Sequence, residues 1–167
     1  MALHLGVIGE GRCSPRVAAQ AERVGAAIAA AGAVLVCGGL GGVMEAAARG
    51  AARSGGVVVG LLPGVERSHA NRWVTIPIVT GMDQARNVIL VRSCDAVIAV
   101  GGSYGTLSEI ALALKLGRPV IGLGTWRLTP PQRRRVPIIR ALSPEDAVGR
   151  ALRVAGRARK GGRRWRP

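Results

Sequence analysis

Two glycine-rich stretches, with a few polar residues beside them, are where this chain could do chemistry. The first, Gly38-Gly39-Leu40-Gly41-Gly42-Val43-Met44-Glu45-Ala46, sets four glycines ahead of a helical sequence. Glycine lets the backbone approach a ligand closely, and the unpaired N–H groups of a helix start, with the helix dipole, favour an anion such as phosphate. A tight turn packing helix on sheet is the plainer reading. One glycine would serve it, whereas four cost backbone entropy that a turn does not require. Gly38, Gly39, Gly41, Gly42, Met44 and Glu45 are therefore assigned to a phosphate seat. The second stretch, Gly101-Gly102-Ser103-Tyr104-Gly105-Thr106-Leu107-Ser108-Glu109, has the same form. Gly101, Gly102, Ser103, Tyr104, Gly105 and Thr106 join the seat, with the Thr106 hydroxyl able both to cap the next helix and to meet a phosphate. Glu109 has two readings on spacing alone: Thr-x-x-Glu is a capping box, and a carboxylate beside a phosphate loop is where an acid or base is useful.

Arg86 and Asn87 open a helical stretch after Gly81-Met82-Asp83-Gln84-Ala85. Arg86 either forks onto a phosphate or sugar or is a solvated helix residue. Asp83 complements the helix dipole. A third glycine loop, Gly9-Glu10-Gly11-Arg12-Cys13-Ser14-Pro15, imitates a dinucleotide fingerprint, but Ser14 stands where its third glycine belongs. No acidic residue follows the second strand, and a P-loop signature is absent. These departures argue against a classical NAD or FAD site, and Gly9 is kept as a ligand-facing strand end. The segment Pro63 to Asn71, with Arg67 and His69, is either a lid or a plain surface connection.

These residues need a scaffold. Leu5–Ile8, Val34–Val36, Val57–Leu61, Val74–Ile76, Ala96–Val100 and Pro119–Gly122 are near-continuous apolar runs, the pattern of parallel strands covered on both faces. Helices are expected at 15–31, 43–54, 82–93 and 106–117. Ser14-Pro15 and Ser143-Pro144 supply helix starts, the second with Asp146 in the capping-box position. The alternation predicts a Rossmann-like, doubly wound α/β domain with a mainly parallel sheet of about six to seven strands, whose ligands bind beyond the carboxyl ends of the strands.

Of 167 residues, 49% are hydrophobic and 2% aromatic, which excludes a disordered chain and weakens any module that reads bases on aromatic platforms. The net charge of +15 is uneven: residues 1–126 carry 11 Lys+Arg against 7 Asp+Glu, and residues 127–167 carry 13 against 2. One domain over 1–155 and a basic, disordered tail over 156–167 are expected. Arg133-Arg134-Arg135 and the tail could neutralise nucleic-acid phosphates, with Trp165 stacking, but a like-charged run is more often solvated. Cys13, Cys37 and Cys94 form no metal or disulfide pattern. Val24 to Met44 is uncharged over 21 residues but holds six glycines, so it is divided into helix, strand and loop instead of spanning a membrane. A cytoplasmic protein is expected.

Taken together, Cys37 to Ala46, Ala85-Arg86-Asn87-Val88-Ile89 and Gly101 to Ile110 resemble the LOG superfamily, once labelled "possible lysine decarboxylase", and within it the branch containing molybdenum-cofactor carrier proteins. The likeness covers about residues 3–125. It implies a Rossmann-like fold, a homodimer or higher homo-oligomer, and a phosphate-bearing ligand across the strand ends. In hydrolytic members a glutamate and an arginine, matching Glu109 and Arg86, cleave a purine nucleoside 5′-monophosphate to free base and ribose 5-phosphate with no cofactor. On that reading the phosphate rests on the amides from Gly102 to Thr106. The alternative is a binding protein whose ligand is the molybdenum cofactor. Two departures from the hydrolytic pattern are Val100 in place of proline and Ser108 in place of the first of two glutamates. Lysine decarboxylation is rejected, because a pyridoxal enzyme needs a Schiff-base lysine and the only lysines are Lys115 and Lys160, outside the motifs.

Overall fold

The computed structural model describes residues 1–129 and 136–160. The triple arginine 133–135 and residues 161–167 of the expected tail lie outside the described residues.

Seven parallel strands form one sheet: β1 (His4–Gly9), β2 (Val34–Cys37), β3 (Val58–Leu62), β4 (Ile76–Val79), β5 (Ala96–Val100), β6 (Val120–Leu123) and β7 (Ile138–Arg140), in the order β4-β3-β2-β1-β5-β6-β7. Helices α1 (Pro15–Ala30), α2 (Val43–Arg53) and α5 (Pro144–Lys160) cover one face, and α3 (Arg86–Arg92) and α4 (Tyr104–Lys115) cover the other. The doubly wound Rossmann-like architecture expected from the apolar runs is therefore present. Alternation within a strand divides the core: Val7, Leu35 and Ile98 pack under α1 and α2, whereas Ile8, Val36 and Val97 pack under α3 and α4.

Side-chain chemistry sets the element ends. Ser14 Oγ accepts the Val17 amide at 3.3 Å with Pro15 in the first turn, and Ser143 Oγ accepts the Asp146 amide at 3.1 Å. The Asp146 carboxylate reaches the Leu142 amide, one residue short of the expected reciprocal bond, and pairs with Arg150 at 2.7 Å. Helices α1 and α2 cross at glycines: a Cβ on Gly25 would overlap the Ala47 carbonyl, and one on Gly50 the Glu22 carbonyl. Glu22 then pairs with Arg49 across the crossing at 2.7 Å.

Several expectations shift. Helix α3 starts at Arg86, after a 3-10 turn over Asp83–Ala85, instead of at 82, and α4 runs Tyr104–Lys115 instead of 106–117. The fourth strand is Ile76–Val79, not 74–76, because Thr75 turns its hydroxyl to the Val58 amide and Pro77 is tolerated in an edge strand. Strand β7 was hidden among arginines and prolines. Helix α5 continues to Lys160, so the first five residues assigned to a disordered tail are helical.

The strand order reverses at β1, whose Gly9 lies beside Val100 of β5. The two glycine loops follow the carboxyl ends of β2 and β5, the strands on either side of β1, and ligands of open α/β sheets bind at such a reversal.

Candidate functional site

Strand β2 ends in Cys37, and the loop 38–42 turns the chain into α2 through positive φ at Gly39 (72°) and Gly42 (63°), a region only glycine enters without strain. Asn71 fastens this loop. Its Nδ2 donates to the Gly39 and Leu40 carbonyls at 3.1 and 2.9 Å, and its own amide donates to Gly39 O at 2.8 Å. With those carbonyls held, the amides of Leu40, Gly41 and Gly42 donate to none of the described residues. A fixed loop with uncommitted donors suits an anion. Asn71 itself sits in the segment where the sequence suggested only a lid or a surface connection, and no local signal singles it out.

Arg86, the first residue of α3, is 8% exposed. Its guanidinium lies on Gly38, where a Cβ would come within 2.6 Å of Nη2, and the Met44 sulfur flanks the same spot. Arg86 Nε and Nη1 are buried without a hydrogen-bond partner, as is Asn87 Oδ1 next to it. An unpaired buried cation is costly unless something else supplies the counter-charge. Burial holds the Arg86 pKa below the usual arginine value, against the pull of Glu109 and Cys37.

Glu109 is also 8% exposed. Helix α4 begins at Tyr104 with Ser103 as its N-cap, so Glu109 is beyond the capping-box position, which Thr106 occupies. The capping reading of Glu109 therefore fails. Thr106 carries out that task, its Oγ1 accepting the Ser103 amide at 3.2 Å. Burial raises the Glu109 carboxyl to about 7, opposed by the nearby Arg86 charge, and no direct ion pair or hydrogen bond joins the two among the described residues. The solvated reading of Arg86 fails with it, since both side chains are in one buried corner.

The second glycine loop is less open than the first. The Gly102 amide donates to Glu10 Oε1 at 3.0 Å and the Ser103 amide to Thr106, so two of the donors expected under a phosphate are already engaged. Gly101, at φ 61°, leaves room for that carboxylate. Trp126 closes over Gly102, its Nε1 donating to Ser103 O at 3.1 Å, and Tyr104, 84% exposed, sets its ring 6.0 Å from the indole. Gly105 lies in the first turn of α4.

The remaining assigned residues have other surroundings. Gly9 makes room for Val43 and the Val100 carbonyl, and Gly41 approaches the Gly11 carbonyl. Glu45 and Gly42, the last residue of the first glycine loop, line an open cavity of about 390 Å³ with Arg12, Cys13 and Arg49, between the starts of α1 and α2; Arg86 and Glu109 are not among its lining residues. Among the described residues no group of three or more His, Cys, Asp or Glu gathers as a metal site. Nor is any described helix long and apolar enough to cross a membrane.

A parallel sheet with two glycine loops at its switch point and a buried arginine and glutamate between them defines a Rossmann-like protein of the LOG type. The chain belongs to the SLOG cluster 4 family, whose model matches residues 2–148. An uncharacterized protein of Archaeoglobus fulgidus is 53% identical over 121 residues, covering 72% of this chain and 80% of that one. Among solved structures, the molybdenum cofactor binding protein from the phototrophic bacterium Rippkaea orientalis superposes with a TM-score of 0.84 at 37% identity, covering 92% of this chain and 98% of its own. The Moco carrier protein from Chlamydomonas reinhardtii does so with a TM-score of 0.81 at 32% identity, covering 94% and 99%. The resemblance drawn from the glycine motifs is thus upheld at the level of fold and branch.

Proposed function

We propose that this protein binds the molybdenum cofactor, a phosphate-bearing pterin, and holds it without turnover. The observation that carries this reading is the buried Arg86 guanidinium, two of whose nitrogens lack a partner, beside the Gly38–Gly42 loop and its uncommitted amides. That donor set fits a phosphate: a planar cation for two oxygens and backbone N–H groups for the third. When bound, the cofactor supplies redox chemistry that belongs to its eventual acceptor. This chain contributes the grip, through Arg86, the first glycine loop and Asn71 behind it. The two solved relatives named for this cofactor match nearly their whole length, which favours the same ligand class here.

A second reading keeps the same seat and adds hydrolysis of a purine nucleoside 5′-monophosphate. Glu109 favours it, because a buried carboxyl near neutrality and free of capping duty is suited to stabilise an oxocarbenium-like centre and take a proton from water. Val100 and Ser108, where hydrolytic relatives carry proline and glutamate, weigh against it.

One experiment separates the two. The chain is incubated anaerobically with molybdenum cofactor released from a donor molybdoenzyme, passed through gel filtration, and assayed for bound pterin, with AMP run in parallel for adenine release. Co-elution that Arg86→Ala abolishes, with no adenine formed, is the expected result. Adenine release that Glu109→Gln abolishes, without pterin retention, would replace the carrier by a hydrolase.

A further inference from the structure

Glu10 touches both glycine loops. Its carbonyl accepts the Val43 amide at 2.9 Å, at the first residue of α2, and its carboxylate takes the Gly102 amide at 3.0 Å, just ahead of α4. The glycines around it are shaped for this. A Cβ on Gly42 would overlap the Glu10 carbonyl, and one on Gly101 would stand 2.7 Å from Glu10 Oε1. The side chain is half-buried just beyond the carboxyl end of β1, and Oε2 bonds none of the described residues.

A carboxylate on a backbone amide at a helix start occupies the place of an oxyanion and carries the same sign of charge. A phosphate arriving at the second loop would have to expel Glu10 and then bear its repulsion. The first loop has no such carboxylate on it: the amides of Leu40, Gly41 and Gly42 donate to none of the described residues, and at its Gly38 end the neighbouring charge is the Arg86 cation. We infer that Glu10 is a specificity-determining residue that reserves the second glycine loop against anions. The single phosphate of the ligand is thereby confined to Gly38–Gly42 and Arg86, and a hydrogen-bond donor of the ligand, a hydroxyl or amino group, is set on Glu10 Oε2. The ligand class that fits is a monophosphate with a neutral, donor-bearing body, not a ligand with phosphates at both ends. This rests on the anion-seat reading above and gives it a direction.

Inorganic phosphate is the probe, titrated calorimetrically and soaked into crystals of the full chain. Wild type should bind one phosphate at the first loop, weakened about tenfold by Arg86→Ala, the weight of one charge-assisted hydrogen bond. Glu10→Ala should admit a second phosphate on the Gly102 amide, indifferent to Arg86→Ala. Glu10→Gln keeps an oxygen for that amide, so it should melt with wild type and admit the second phosphate more weakly than Glu10→Ala. The assignment is overturned if wild type already holds phosphate on Gly102 with Glu10 displaced, or if Glu10→Ala still binds only one. In either case the anion-seat reading survives provided Arg86→Ala weakens the first site. Phosphate binding absent from every variant, or blind to both residues, defeats the two together.

Discussion

Around neutral pH the buried Glu109 carboxyl is near its midpoint, because burial favours the protonated form more than Arg86 opposes it. A pKa raised in the folded state stabilises the fold fully below the ordinary value of 4.5 and loses that contribution as pH rises toward about 7. Wild type should therefore lose stability between pH 4.5 and 7, up to about 3 kcal/mol for a shift of this size, and Glu109→Gln should flatten that slope in chemical denaturation. Affinity for an anion should fall over the upper part of the same range, as ionised Glu109 neutralises the Arg86 charge; an unchanged affinity profile in Glu109→Gln would remove Glu109 as its cause. Arg86→Met should melt at or above wild type, since replacing an unpaired buried cation by an apolar side chain relieves desolvation, while losing at least about tenfold in phosphate affinity. A fall in melting temperature with affinity retained would show that the arginine is a structural group. Arg86 and Glu109 were legible in the sequence through their motifs. Glu10 was visible only as part of a broken fingerprint, and Asn71 as an ordinary loop residue, because each acts on partners distant along the chain: Gly102 for one, Gly39 and Leu40 for the other.

Among the elements, the helix pair α1 and α2 and the loop 38–42 respond in different ways to substitution. At the crossing, Gly25→Val forces a side chain into the Ala47 carbonyl and should cost about 1–3 kcal/mol or more in urea unfolding, with ligand affinity per folded molecule kept. Asn71→Ala frees the Gly39 and Leu40 carbonyls. It should cost about 1–3 kcal/mol, weaken binding and loosen the loop, read as lowered backbone order parameters at residues 39–42. Order parameters there unaltered from wild type would show that Asn71 does not hold the loop. The helices and most strands were readable from apolar runs and caps. Strand β7 was not, because three residues between arginines and prolines form a strand only where β6 offers an edge. The sequence pattern puts the start of α4 two residues late, which leaves Glu109 ambiguous between a cap and a site residue until Ser103 is seen to be the N-cap.

At the scale of the whole molecule, the edge strand β4 exposes Ile76, Ile78 and Val79, with Met82 and Val65 also exposed. An apolar sheet edge of this kind is a surface for self-association, and a homo-oligomer is the expected state. Light scattering should find more than one chain per particle in wild type and a smaller particle in Ile78→Lys; a monomeric wild type would refute the expectation. Most of the +15 charge belongs to residues 127–167, beyond the two glycine loops. The sequence by itself determined the α/β class, the parallel sheet and the two glycine loops, because apolar periodicity, caps and glycine clusters are local properties of the chain. Only the tertiary structure decided which loop keeps amides unengaged and where two guanidinium nitrogens are buried unbonded. The first depends on a carboxylate from the end of β1 meeting an amide more than ninety residues away, the second on the burial of Arg86, and neither leaves a mark on the spacing of residues along the chain.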